Sequence, residues 1–183
     1  MFYRGTVEDN NDPGQFGRVK VRVHGIHDEG SEVSTGELPW AEVAGGTDFG
    51  LSNGIGVTSI LRIGTMVWCF FNNDDYNYPI IFAVVKGSSD INSVAKGSYT
   101  NIATIKSPGG HIIELNDSSP KIEIKHSSGS KLIFQPDGSI LIESVNNIVY
   151  QASGNFDITS GGNINVTASG NLGLTASRID FNG

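Results

Sequence analysis

The residues best suited to catalysis or metal binding are the four histidines. His24 and His27, followed by Asp28, offer two imidazoles and a carboxylate, but no third or fourth ligand follows at the spacing of a zinc site. His111 and His126 lie among serines and aspartates, without the pattern of a nucleophile elbow or of paired catalytic carboxylates. We therefore predict loop histidines that bind no metal and carry no catalysis.

Two loops partly match known ion-binding or phosphate-binding motifs. The segment 9–14, Asp-Asn-Asn-Asp-Pro-Gly, has calcium-type oxygen ligands, but the twelfth position of the loop is Lys20 where a glutamate is needed. The segment 54–56, Gly-Ile-Gly, lacks the lysine and the strand–helix context of a phosphate loop. We predict no catalytic, cofactor-binding or metal-binding residue, and hence no enzyme.

The composition indicates a β-rich protein of a reducing compartment. The 183 residues include 24 glycines and carry a net charge of −7, which opposes nucleic-acid binding, since phosphates are neutralised by Lys and Arg. The single cysteine, Cys69, lies in an apolar run and is predicted to be a buried thiol. No Sec-type signal and no membrane-spanning run is recognised, so we expect assembly in the cytoplasm.

Residues 1–86 are predicted to form a first domain built from five strands. The strand-like segments are 2–7, 18–24, 40–44, 65–72 and 80–85. In the second segment valines alternate with Arg18, Lys20 and Arg22, which predicts one buried face and one basic face. Five strands within this length predict a small Greek-key barrel of the OB type.

The last third of the chain, 138–183, repeats every eight residues. Glycine or asparagine recurs at Gly138, Asn146, Gly154, Gly162 and Gly170. Two and four places after each comes an apolar residue: Ile140, Ile142, Ile148, Tyr150, Phe156, Ile158, Ile164, Val166, Leu172 and Leu174. This spacing is typical of a strand with one buried face, and glycine suits the corner that follows. A repeat of one short strand and one corner predicts a β-helix or β-prism.

One repeat cannot be stable alone, because it buries two side chains and leaves both strand edges unpaired. Either one chain coils on itself with three repeats per turn, or three chains wind about a common axis. The spacing does not distinguish these arrangements. Between the barrel and the repeat, 87–110 is predicted to be a Ser-, Gly- and Asn-rich linker, and 111–134 a less regular β region that starts the prism.

Several motifs resemble one family in the same order along the chain. They are Gly5-Thr6-Val7-Glu8-Asp9, Asp12-Pro13, the strand 17–23, Leu38-Pro39-Trp40, Ser107-Pro108-Gly109-Gly110-His111 and Asp137-Gly138-Ser139-Ile140. Together they resemble the central spike proteins of contractile injection systems, namely the T4-type phage baseplate spike, baseplate assembly protein V and the VgrG-like spikes. The resemblance is to a spike that lacks the lysozyme domain, since 87–110 is too short to contain one.

The resemblance implies an all-β architecture, with an N-terminal OB-fold barrel as a collar (1–86) and a C-terminal triple-stranded, homotrimeric β-helix or prism (111–183). The ten apolar residues of the repeat would form the trimer core. The implied protein lies in a virion tail baseplate, or an equivalent particle, assembled in the bacterial cytoplasm. It pierces the target outer membrane when the sheath contracts, and its collar binds the trimeric tail hub.

The end of the chain predicts a blunt tip. Some spikes of this family close with a His-x-His iron site, but no histidine follows His126 here. Ile179 and Phe181 continue the strand alternation, so we expect them to contact a separate PAAR-like tip protein.

Two other functions stay open at this point. A β-helical adhesin or receptor-binding tail protein would show a groove of aromatic and acidic residues, and Tyr150 is the clearest aromatic of the repeat outside the inward positions of Phe156 and Phe181. An OB-fold binder of single-stranded nucleic acid would need exposed aromatics beside a basic groove. The basic face of the second strand is one such strip, although the acidic total opposes this function.

Overall fold

The structure, a computed structural model, describes residues 1–27, 32–45 and 57–180. Its elements are β1 (Tyr3–Asp9), β2 (Val19–Val23), β3 (Trp40–Val43), β4 (Met66–Phe71), a 3-10 turn (Asn72–Asp74), β5 (Pro79–Val84), α1 (Ser93–Gly97), β6 (Ile102–Lys106), β7 (Ile112–Asn116), β8 (Lys121–Lys125), β9 (Lys131–Phe134) and β10 (Ile140–Glu143). No helix within the described residues has the length and apolar content needed to cross a bilayer.

Strands β1–β5 close into a barrel in the order β1-β2-β3-β5-β4. All five lie where the sequence predicts them, and β3 pairs with β5 in parallel while the other pairs are antiparallel. The alternation in β2 places Val19, Val21 and Val23 in the core with no exposed surface. The predicted all-β class and the N-terminal barrel are confirmed.

Cys69 lies in this barrel core, as predicted. It is a free, fully buried thiol whose Sγ donates to the carbonyl oxygen of Tyr3 at 3.7 Å. Burial raises the pKa of the Cys69 thiol to about 11, because the thiolate would be poorly solvated there. Its role is therefore packing.

Strands β6–β10 form a second sheet, an antiparallel meander in sequence order. Strand β6 lies inside the segment predicted to be a linker, 87–110, and pairs with β7 over its full length. The short helix α1 lies in the same segment, and Asn92 holds it to the sheet by accepting from the Ala95 N–H and donating to Thr104 Oγ1. The linker prediction therefore needs correction, since 102–106 are part of the sheet.

The β-helix expected from residue 111 onward also needs correction in its first part. Three hairpins of the second sheet use the same turn, in which Gly110, Gly129 and Gly138 have φ values of 87°, 111° and 83°. Each glycine N–H donates to the carbonyl oxygen three residues earlier. Because such turns return the chain to the neighbouring strand, residues 111–143 form a meander and not the start of a β-helix.

The octad repeat continues from the second sheet as an extended chain with regular corners. Bends lie at 145–146, 153–154, 161–162, 169–170 and 177, which is the predicted eight-residue spacing. At two corners a serine fixes the bend: Ser144 Oγ accepts from the Asn146 N–H at 3.3 Å, and Ser160 Oγ accepts from the Gly162 N–H at 3.2 Å. Within the described residues, 144–180 make no strand pairing. The part of the single chain that the structure describes therefore shows no β-helix.

Candidate functional site

The second sheet has one face that is entirely apolar, here named the apolar face. Cross-strand pairing lines its side chains up in two rows. One row is Ile105, Ile113, Ile124, Leu132 and Ile142; the other is Ala103, Leu115, Ile122, Phe134 and Ile140. Ile105 is 69% exposed and Ile140 is 60% exposed. Ten apolar side chains share this face and most of them are exposed, and apolar patches of that kind are candidate protein-binding surfaces.

The opposite face of this sheet carries the charged side chains of its strands, together with Ile112, Ile133 and Leu141. Glu114 and Glu123 lie directly opposite each other on neighbouring strands, a repulsive arrangement for two carboxylates. Lys121 Nζ relieves it, at 3.4 Å from Glu114 Oε1 and 2.7 Å from Glu123 Oε2. The hydrogen bond to Glu123 and the two negative charges raise the pKa of Lys121. The two carboxylates at the centre of this face are thus satisfied within the chain, whereas most side chains of the apolar face stay exposed.

The predicted trimer-core residues begin on the apolar face. Ile140 and Ile142 belong to both, and the remaining eight lie along the extended repeat, where they are 48–65% exposed. Tyr150 and Phe156 stack on each other with ring centroids 5.7 Å apart, which is a contact between successive repeats. Of the predicted tip residues, Ile179 is 44% exposed, and Phe181 lies outside the described residues.

The basic side chains on one face of the second strand segment all bind partners within the barrel. Arg18 pairs with Asp12 at 2.8 Å, and Lys20 Nζ donates to the carbonyl oxygen of Gly36. Arg22 pairs with Glu8, and Lys20 and Arg22 are both less than a tenth exposed. These cations are not available to neutralise phosphates, so the strip gives little support to the nucleic-acid-binding alternative.

The histidines of the first domain are loop residues held by local hydrogen bonds. His27 Nδ1 accepts from the Val23 N–H at 3.0 Å, and burial lowers the His27 pKa. His24 Nε2 lies 3.0 Å from Thr6 Oγ1, and Asp28 falls outside the described residues, as does the segment 54–56.

His111 and His126 come together at one end of the second sheet. Their ring centroids lie 4.3 Å apart, and each Nδ1 accepts a backbone N–H, from Ser127 at 3.3 Å and from Ser128 at 3.1 Å. Among the residues that the structure describes, no three His, Cys, Asp or Glu side chains are arranged to hold a metal ion.

Asp12 has a structural role that its sequence context does not reveal. Its carboxylate accepts from the backbone N–H groups of Gly14, Phe16 and Arg18 and from the Arg18 guanidinium, and it is 7% exposed. The guanidinium and these N–H groups hold the Asp12 pKa well below its usual range. The Asp12-Pro13-Gly14 motif predicts a turn, but it does not predict that the Asp12 carboxylate binds the Arg18 guanidinium.

Replacing Asp12 by asparagine is expected to lower stability at neutral pH and to change its pH dependence. A depressed folded-state pKa stabilises the fold above the unfolded pKa, and this contribution is lost as pH falls toward the folded pKa. The gap between wild type and Asp12→Asn should therefore be largest near pH 7 and shrink below about pH 4. Urea midpoints across this range measure it. Asp9→Asn, in the same loop, is the control, and an equal loss there would contradict the assigned role of Asp12.

Comparison with protein-family models finds a match, and it covers the barrel. Residues 3–85 match the model of the type VI secretion system/phage-baseplate injector OB domain. The match spans β1–β5 and stops before the second sheet and the repeat. A comparison with curated proteins finds no match. The match supports a structural role at a tail or injector baseplate.

Proposed function

We propose that three copies of this chain form the central spike of a contractile injection system, and that sheath contraction drives this spike through the target outer membrane. The barrel serves as a collar on the trimeric tail hub, and the repeat serves as the shaft. The observation that carries the proposal is the apolar face, because two of its residues, Ile140 and Ile142, are the first apolar pair of the octad repeat, whose later apolar positions are also exposed.

Association of three copies would pair the strand edges and bury the apolar side chains that the single chain leaves exposed. In the extended segment 144–180 no strand edge is paired with another part of the described chain, and neighbouring copies can supply those edges. Burial of each large apolar side chain contributes roughly 1.5–3 kcal/mol, and about ten per chain offset the cost of association. A single-chain coil would need the repeat to fold back on itself, which the extended conformation does not favour.

The outward positions of the repeat suit passage through a membrane surface. Between 138 and 183 only four side chains are charged, namely Glu143, Asp157, Arg178 and Asp180. Arg178 and Asp180 pair with each other at 2.8 Å. The remaining outward residues are mainly Asn, Thr and Ser, so a shaft built this way has few charges to hold it at lipid headgroups.

The collar offers an aromatic patch for the hub, consisting of Phe2, Phe70 and Phe82. The Phe2 and Phe82 ring centroids lie 5.1 Å apart, Phe70 and Phe82 lie 6.1 Å apart, and Phe2 is 67% exposed. Clustered aromatic side chains on a closed barrel are typical of protein-binding surfaces. At the other end, Ile179 and Phe181 are the proposed contacts of a PAAR-like tip protein.

Co-purification from the assembled particle tests both partners. Phe82→Glu should release the hub, and truncation after Ser177 should release the tip protein, each without loss of the other partner. If the hub still binds the Phe82→Glu variant, the aromatic patch is not its contact. If the tip protein still binds the truncated chain, Ile179 and Phe181 are not its contacts.

The proposal as a whole is tested by the mass of the chain in solution. Multi-angle light scattering should give three times the chain mass of 19.5 kDa. A well-folded monomer at micromolar concentration would overturn the three-chain shaft, whatever the barrel binds.

A further inference from the structure

A cleft of about 330 Å³ opens on the barrel wall between the start of β2, strand β3 and the loop that joins β4 to β5. Its polar and aromatic lining is Arg18, Trp40, Glu42, Asn72, Asn77 and Tyr78. In OB barrels, strands 2 and 3 with the β1–β2 and β4–β5 loops form the surface that binds oligonucleotides and oligosaccharides. The volume lies at the lower end of the range of small-molecule pockets. The cleft therefore has the position and the size of a ligand site.

The two loops beside the cleft are held in unusual backbone conformations. Within the described residues, the non-glycine residues with positive φ are Gln15 at 55°, Asn73 at 53° and Asp74 at 59°. Gln15 lies in the β1–β2 loop, and the other two lie in the β4–β5 loop. Such conformations persist where the surroundings enforce them, and they cluster at ligand-binding sites.

Hydrogen bonds fix the β4–β5 loop at the cleft. The Asn72 N–H donates to the Tyr78 carbonyl oxygen at 3.0 Å, and Asp75 Oδ1 accepts from both the backbone N–H and the side-chain amide of Asn77 at 2.9 and 3.0 Å. The cleft wall is thus formed before any ligand arrives, which lowers the entropy cost of binding.

The cleft combines aromatic surface with free polar groups. Two cations hold the Trp40 ring, since Arg18 Cζ lies 5.8 Å and Lys20 Nζ 5.3 Å from its centroid. Tyr78 is 62% exposed. The Glu42 carboxylate and the Asn72 side-chain amide make no hydrogen bond within the described chain. An exposed aromatic ring such as that of Tyr78 can stack on the C–H face of a sugar, while the carboxylate and the amide can accept from and donate to hydroxyl groups.

The charges in the cleft select against phosphate. The Arg18 guanidinium is bound to Asp12, Lys20 donates to the Gly36 carbonyl oxygen, and Glu42 adds a negative charge. Single-stranded nucleic acid requires aromatic platforms within a positively charged groove. We propose that this cleft binds a neutral saccharide, with Tyr78 as the stacking surface and Glu42 and Asn72 as hydrogen-bonding groups. The site lies within one barrel, so its occupancy does not depend on the oligomeric state.

Saturation-transfer NMR on the full-length chain tests the proposal. The probes are a panel of neutral gluco-, galacto-, manno- and N-acetylglucosamine oligosaccharides at millimolar concentration, with a ten-residue oligo-dT as the nucleic-acid probe. At least one neutral oligosaccharide should receive saturation. Tyr78→Ala and Asn72→Ala, both at exposed positions, should each weaken its binding by at least about tenfold.

Tyr99→Ala is the matched control, because Tyr99 is 70% exposed and does not line the cleft. The Tyr99→Ala variant should bind the sugar as tightly as wild type does. The proposal is overturned if no panel sugar binds, if Tyr78→Ala binds as well as wild type, or if oligo-dT displaces the sugar and binds more tightly. Unchanged circular dichroism of each variant shows that the barrel is intact.

Discussion

Leu172→Asp is expected to dissociate the trimer, or to prevent its assembly. In the three-chain shaft Leu172 points to the axis, so the substitution places three carboxylates near one level of a dry core. Each buried, unpaired charge costs several kcal/mol even after relaxation. Leu172→Ala keeps the core apolar and should cost less, about 2–5 kcal/mol per chain. Light scattering and guanidinium unfolding of the full chain measure both effects.

Thr175→Asp is the control for Leu172→Asp. Thr175 follows the inward Leu174 by one position and therefore lies on the outward side of the same strand. The same carboxylate should be nearly silent there. If Thr175→Asp dissociates the protein as readily as Leu172→Asp does, the inward register of the repeat is shifted by one residue.

Ile124→Gln is expected to weaken the trimer through the second sheet. Ile124 lies in the middle of the apolar face, paired with Ile113 on one side and Leu132 on the other. The substitution loses about 1.5–3 kcal/mol of apolar burial per chain and adds about 1–3 kcal/mol for an amide without a partner. The trimer should therefore dissociate at a lower denaturant concentration, which sedimentation velocity in urea measures.

Lys125→Gln places the same side chain on the opposite face of the same strand. Lys125 is exposed and makes no ion pair within the described residues, so this variant should behave as wild type. The contrast between the two positions separates burial from the effect of the new side chain. If the apolar face were solvent-exposed in the assembled protein, Ile124→Gln would be neutral, and the second sheet would have no part in the interface.

The barrel could be predicted in detail because its signals are local. The alternation of valine with basic residues in 18–24 requires one buried face, and the structure has β2 there with its valines in the core. The apolar run around Cys69 was less informative. Residues 66–71 are apolar on both faces of β4, so periodicity could not show that Trp68 and Phe70 point outward, toward the aromatic patch and the outer surface of the barrel.

The second sheet was only partly predictable. The apolar pairs of β7, β8 and β9 were visible, but strand β6 lies in a segment of low apolar content and exists because it pairs with β7. Its side chains Ile102 and Ile105 are spaced too irregularly to predict a strand alone. Which strands are neighbours, and in which register, depends on contacts between residues distant in the chain.

The local periods of this protein can be read from its amino-acid order alone: alternation every two residues in the barrel strands and a corner every eight residues in the repeat. Both follow from backbone geometry, since side chains of a strand alternate and glycine or serine permits the bend. The other features depend on contacts between distant parts of the chain. Cross-strand register aligned the side chains of five strands into one apolar face, and the meeting of β2, β3 and the β4–β5 loop made the cleft around Trp40. These arrangements are non-local, because pairing energy between strands, and not the preference of any single segment, selects them.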